Sequence, residues 1–230
     1  MKKKSPFWIF VLTGLAAGAV YLYFHAAELT AHYLRRQIRA LTGTDASLKN
    51  VTLSKAEDSS HWVIGIGSLL LKNPDRFEIP NMAQLANVQI VLDPWRSLTE
   101  SRWVVVYFYA ALRRINFQTN NAGVFNITTT PAIRDLYAKD PAPSRRDFLM
   151  ERVEFKFGKL YRIDYSKAPP SMERHDLKGK ILSYRNLDSP YVLIQAPVLV
   201  LLKHRNIEER ELIQKLKTRL ERYEESLKAA

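Results

Sequence analysis

An α+β fold is predicted for this chain, and three features of its 230 residues predict it. Residues 6–24 are apolar and carry no formal charge, the length of one transmembrane helix. Between 44 and 196 apolar and polar residues alternate in short runs rich in Val, Ile, Tyr and Phe, the mark of a mostly antiparallel sheet. From 197 to 230 the period lengthens toward 3.6, which describes a long amphipathic C-terminal helix.

The first element follows Lys2, Lys3 and Lys4. At 1.5 Å per residue, about 19 residues cover roughly 28 Å, close to the hydrocarbon thickness of a bilayer. A cleavable signal peptide is the alternative, because Ala17-Gly18-Ala19 offers a small-residue site after a basic start and an apolar run. Cleavage there would leave Val20-Tyr21-Leu22-Tyr23-Phe24 as a bare apolar terminus, so an uncleaved anchor is expected. The lysines favour a cytoplasmic position for residues 1–5, although Arg35, Arg36 and Arg39 beyond the span reduce the asymmetry.

Residues 25–43 continue as an amphipathic helix, with Leu29, Tyr33, Leu34, Ile38 and Leu41 at helical spacing and Arg35, Arg36 and Arg39 between them. Gly43 supplies the stop. The arginines read equally well as a solvated face or as contacts to phosphate head groups.

The period then changes to two. Strands are expected at 46–54 and 62–71, the second ending in the turn Asn73-Pro74-Asp75. Along 82–92, Met82, Ala86, Val88, Ile90 and Leu92 share one face, opposite Asn87, Gln89, Val91 and Asp93. Residues 102–109 are apolar on both faces, Ile115, Phe117 and Thr119 continue one-sidedly, and a short strand is expected at 124–127. After a loop at 140–144, Val153, Phe155 and Phe157 alternate with Arg152, Glu154 and Lys156. Gly158-Lys159 is expected to turn the chain into a hairpin with Tyr161, Ile163 and Tyr165, followed by a last strand at 175–184. In the C-terminal helix Leu212, Leu216, Leu220, Tyr223 and Leu227 form one apolar stripe amid mixed charges. It suits packing on the sheet or docking on a partner.

Composition narrows the chemistry. Without cysteine, disulfides and thiolate metal sites are excluded. A formal charge of +12 points to an anionic neighbour, and beside a membrane that neighbour is anionic lipid. The charge is spread along the chain without a recognition motif, so nucleic acid is not expected. The histidines His25, His32, His61, His175 and His204 stand apart, and no phosphate loop, nucleophile elbow or zinc-protease signature occurs. No catalytic residue, metal or cofactor is expected.

Three phrases carry a resemblance. Leu41-Thr42-Gly43-Thr44 leads into Ala46-Ser47-Leu48-Lys49-Asn50-Val51-Thr52-Leu53-Ser54; Ile66-Gly67-Ser68-Leu69-Leu70-Leu71-Lys72-Asn73-Pro74 follows with Phe77; then comes Leu85-Ala86-Asn87-Val88-Gln89-Ile90-Val91-Leu92-Asp93, with Pro94 and Leu98 completing a short turn. Over about residues 1–130 the chain resembles the AsmA-like family of bacterial envelope proteins, as a short member. The resemblance implies a curved sheet with an apolar groove, similar to chorein-type lipid-transfer proteins, periplasmic and tethered to the inner membrane by a single pass. It implies membrane lipid, phospholipid or another anionic lipid, as the ligand, and a role in lipid transport or outer-membrane assembly. The length implies that bridging two membranes would need a homo-oligomer or an envelope protein partner.

On this reading Met82, Val88, Ile90, Leu92, Val153, Phe155 and Phe157 would line an acyl-chain surface, and Arg35, Arg36, Arg39, Arg152 and Lys156 would meet head groups. The same apolar face could instead be core beneath the C-terminal helix. The rival function is a scaffold docking through Leu212, Leu216, Leu220, Tyr223 and Leu227, with an enzyme acting on lipid or peptidoglycan third.

Overall fold

A computed structural model describes residues 7–57, 59–137, 148–203 and 210–228. The apolar run and its amphipathic extension form one uninterrupted helix, α1 (Phe7–Thr42). It ends where the sequence predicts, at Gly43, whose φ of 70° and amide bond to the Arg39 carbonyl (2.8 Å) form a left-handed cap. Among the residues described with their side chains, which begin at His25, no helix is long and apolar enough to cross a membrane; the run 6–24 lies outside that set.

Next come β1 (Ala46–Lys55), β2 (Trp62–Lys72), β3 (Asn81–Leu92), the short helix α2 (Pro94–Thr99) and β4 (Trp103–Thr119). Beyond β4 lie a 3-10 turn and α3 (Pro131–Arg134), then β5 (Phe148–Asp164), β6 (Ser171–Asp176), β7 (Ile181–Leu187), α4 (Pro190–Lys203) and α5 (Arg210–Lys228). The strands form one curved, unclosed sheet in the order β1-β2-β3-β4-β5-β6, with β7 also on β5. Every pairing is antiparallel except β4 with β5.

Four expectations change. Residues 124–127 make no strand: Phe125 forms one bridge to Thr119, and Asn126–Thr129 winds into the 3-10 turn. The hairpin expected at Gly158-Lys159 does not form, because β5 runs straight through it. Gly158 is there for close approach, since a Cβ at this position would lie 2.6 Å from the Arg113 carbonyl oxygen on β4. The last strand is interrupted by a tight turn, Leu177 to Lys180, in which Lys178 and Gly179 both have positive φ. The Leu177 amide bonds Gly158 and the Phe157 amide bonds Lys180, so β6 and β7 run along β5 as one line with an excursion. Finally, the C-terminal helix expected from 197 is described as two, α4 and α5. α4 starts at Pro190 and holds Pro197 within it, and the charged helix α5 is described from Arg210 to Lys228.

The curvature has a source in the sequence. The core-facing positions advance by three rather than two at Leu48 to Val51, Ile66 to Leu69 and Leu85 to Val88 in β1 to β3, and at two places each in β4 (Val105 to Phe108, Leu112 to Ile115) and β5 (Met150 to Val153, Phe157 to Leu160). In β1 to β3 these steps fall in one row, where Asn50 (φ 54°) and Asn87 (φ 49°) flank Gly67. The register is unbroken across this row, so no strand of the three carries an extra residue there; it shifts between β3 and β4, at Gln84/Leu85, Ala86/Gln89 and Val91/Leu92, and such bulges bend a strand and increase its twist.

Candidate functional site

Met82, Val88, Val153, Phe155 and Phe157 are all between 0 and 4 % exposed and belong to one core cluster. The same cluster holds Ile133 of α3, Ala196, Val198, Leu199, Leu201 and Leu202 of α4, and Leu212, Leu216 and Leu220 of α5, with Leu34 and Ile38 of α1 packed on it. The face read as an acyl-chain surface is therefore filled by the chain's own helices. At about 25 cal/mol per Å² of apolar surface removed from water, that covering is a main source of the domain's stability. Ile90 and Leu92, further along β3, are only half-buried, and Trp62, paired with Leu92 across the sheet, is 41 % exposed. Exposure on this face thus rises toward the end where β2 and β4 begin.

The scaffold residues divide likewise. Leu212, Leu216 and Leu220 are buried against the domain, so that part of the stripe is already occupied; the side chains of Tyr223 and Leu227 lie outside the described residues.

The five basic residues do not come together. Arg35, Arg36 and Arg39 are exposed on α1, with Arg39 Nη1 3.5 Å from Asp45 Oδ1. Arg152 and Lys156 stand on the opposite face of the sheet from the core residues of β5. Arg152 Nη2 lies 2.6 Å from Glu154 Oε1, its guanidinium sits 5.5 Å over the Tyr107 ring, and Tyr107 donates to Glu154 Oε2 at 2.8 Å. These hydrogen bonds hold the Glu154 carboxyl below its usual range, while burial and the bond to Glu154 push the Tyr107 phenol up to about 12. Nearby, Arg96 bridges Glu100 and Glu151, and Arg102 closes on Glu100. Arg152 is committed to an ion-pair lattice rather than presented to a ligand.

At the far end of β4 the sequence reading missed a buried amide cluster. Asn126, fully buried, donates through Nδ2 to Asn73 Oδ1 (2.9 Å) and the Asn116 carbonyl (2.7 Å), and its Oδ1 accepts from the Gln118 amide (3.1 Å). Gln118 in turn accepts from the Ile79 amide and meets Glu78, and Asn120 holds the turn that follows by accepting from Ala122 and Val124. Such a satisfied network fastens loops to a sheet and offers no unpaired group to a substrate. The density of Asn from 116 to 126 was the available signal.

Among the described residues no group of three or more His, Asp or Glu side chains gathers as metal ligands would. Compared with protein-family models, with curated proteins and with solved structures, the chain matches none of them.

Proposed function

We propose that this is a non-enzymatic, membrane-anchored domain of a bacterial envelope, tethered on the periplasmic side of the inner membrane by residues 6–24, that binds or guides lipid or supports outer-membrane assembly. The observation that carries the reading is α1. One continuous helix joins an uncharged run of membrane-spanning length to residues packed on the sheet, so the domain is held beside whatever surface that run enters. The AsmA-like phrases support it, as does the +12 charge.

The filled core moves the place of lipid contact. Acyl chains would meet the half-covered continuation of the apolar face, Ile90 and Leu92 with Trp62, rather than Val88 and Phe155. Burial is favourable by about 0.8 kcal/mol per methylene, so a short exposed strip is enough for binding. The test is native mass spectrometry of the full chain extracted from its envelope in mild detergent. Phospholipid at a defined ratio, reduced several-fold in Leu92→Asn with unchanged melting, is the expected result. A lipid-free chain carrying a stoichiometric protein partner would sink the proposal.

A further inference from the structure

Of the large hydrophobic side chains exposed among the described residues, Met172 (62 %) and Ile181 (60 %) lie on β6 and β7, and the rest gather on α1, α2 and the starts of β2 and β4. Trp95 (70 % exposed) and Leu98 (77 %) project from α2, which buries none of its residues. Trp103 (52 %) opens β4 and Trp62 (41 %) opens β2, and Leu29 (46 %) and Tyr33 (45 %) lie on α1. The register puts the strand residues at one end of the sheet: Trp62 is opposite Leu92, Leu92 opposite Val105, and the Asp93 amide bonds the Val104 carbonyl where α2 begins. The Tyr33 ring lies 6.1 Å from the Trp103 ring, so α1 passes this same end. Three of the chain's four tryptophans are here, and the fourth, Trp8, stands near the start of the apolar run.

A protein surrounded by water on this side has no reason to leave large aromatic and aliphatic groups uncovered at one end. A bilayer gives one. Tryptophan and tyrosine favour the head-group level, where the ring meets hydrocarbon and the polar edge meets water. Leu29 lies about 8 Å along the helix axis beyond Phe24, the depth of that layer, with Tyr33 one turn further. The exposed Arg35 and Arg36 follow on α1 on the water side of that layer, and Arg39 pairs with Asp45 beside the start of β1, toward the other end of the sheet.

We infer that Trp62, Trp95, Leu98 and Trp103 form an interfacial rim that seats the sheet end-on in the head-group layer of the bilayer entered by α1. The inference rests on the anchoring reading above. It adds an orientation: the strands stand away from the membrane, and the apolar strip of Ile90 and Leu92 opens at the lipid surface.

The absence of cysteine makes the test direct, because any introduced cysteine is the unique labelling site. Nitroxide labels are placed at Leu98→Cys, at Asn121→Cys on the exposed turn beyond the other end of β4, and at Leu15→Cys in the apolar run, each in the full chain reconstituted into vesicles of phosphatidylethanolamine and phosphatidylglycerol. Collision with oxygen is compared with collision with a water-soluble nickel chelate. The expected result is that position 98, like 15, meets oxygen several-fold more often than nickel, and that 121 shows the reverse. Lipid exposure at 15 with water exposure at 98 overturns the rim and leaves the anchor standing. Water exposure at both overturns the anchor and the rim with it. A label at 98 shielded from both reagents is covered by protein, a second copy or a partner, and also overturns the rim.

Discussion

The two ends of the sheet invert the usual rule of what is hidden and what is shown. At the end where β4 finishes, five amide side chains, Asn73, Asn116, Gln118, Asn120 and Asn126, are between 0 and 7 % exposed. At the end where β4 starts, three tryptophans and a leucine are between 41 and 77 % exposed. Burying an amide costs free energy unless each of its groups is bonded, and the amide end answers that cost with a closed network. Exposing an indole to water is unfavourable too, and apart from the Tyr33 ring beside Trp103 the aromatic end leaves its indoles largely open. The difference teaches that the amide end is complete within the chain, whereas the aromatic end is built for a second medium.

The strongest way to break this comparison is at Asn126. Replacing it by Ala leaves the Gln118 amide, Asn73 Oδ1 and the Asn116 carbonyl without their partner in a buried setting. At about 1–3 kcal/mol for each orphaned group, partly relieved by relaxation, Asn126→Ala should destabilise the domain by about 3 kcal/mol. Denaturation of the full chain in detergent, followed by circular dichroism, measures it. Asn121→Ala, on the exposed part of the same turn, should change nothing.

Acid and base sharpen the comparison next. The amide network does not titrate, whereas the outer face toward the aromatic end rests on Glu100, Glu151 and Glu154 with their arginines. Hydrogen bonds from Arg96 and Arg102 hold the Glu100 carboxyl below the usual carboxylate range, and those from Arg152 and Tyr107 do the same to Glu154. A depressed carboxyl stabilises the fold above its unfolded value, and that contribution is lost as pH falls through the folded one. Tyr107 acts at the other extreme: raised to about 12, it contributes stability that is complete below pH 10 and disappears as pH rises through about 12. The melting midpoint should therefore fall below about pH 4.5 and again above about pH 10. Glu154→Gln should flatten the acid limb, at a cost near neutrality within about 1 kcal/mol, the scale of surface pairs.

Local periodicity made much of this architecture legible. The helix stop at Gly43, strands β1 to β3 and the mostly antiparallel sheet follow from alternation and turn residues. The failures share a cause, which is that a residue's backbone role can be set by a distant neighbour. Gly158 reads as a turn until β4 is beside it, and then its missing Cβ is what lets Arg113 approach. Asn87 sits in a regular polar face until its positive φ shifts the pattern by one, so that Leu85 as well as Val88 joins the core. Met82, Val88, Val153, Phe155 and Phe157, expected on one apolar face, are buried beneath helices for a similar reason. Alternation shows that a face is apolar, but only tertiary packing shows that α4 and α5 fill it. Trp95 and Leu98 were passed over because a six-residue helix has too little period to betray what it exposes.

The smallest expected effect is the one that separates the ends most cleanly. Trp95 and Leu98 contribute little to the fold, since α2 is held by backbone and polar bonds: Asp93 Oδ1 accepts from the Arg96 amide at 2.9 Å, and Ser97 Oγ accepts from the Val104 amide at 3.0 Å. The double substitution Trp95→Ser with Leu98→Ser should leave stability in detergent within about 0.5 kcal/mol, as surface changes away from packing do. A core residue of similar size would lose several times that. If the double variant instead melts far below the parent, those side chains are packed against the domain, and the aromatic end is as self-contained as the amide end. If stability holds, their apolar area serves something outside the chain, and the contrast between the two ends is one of function rather than of folding.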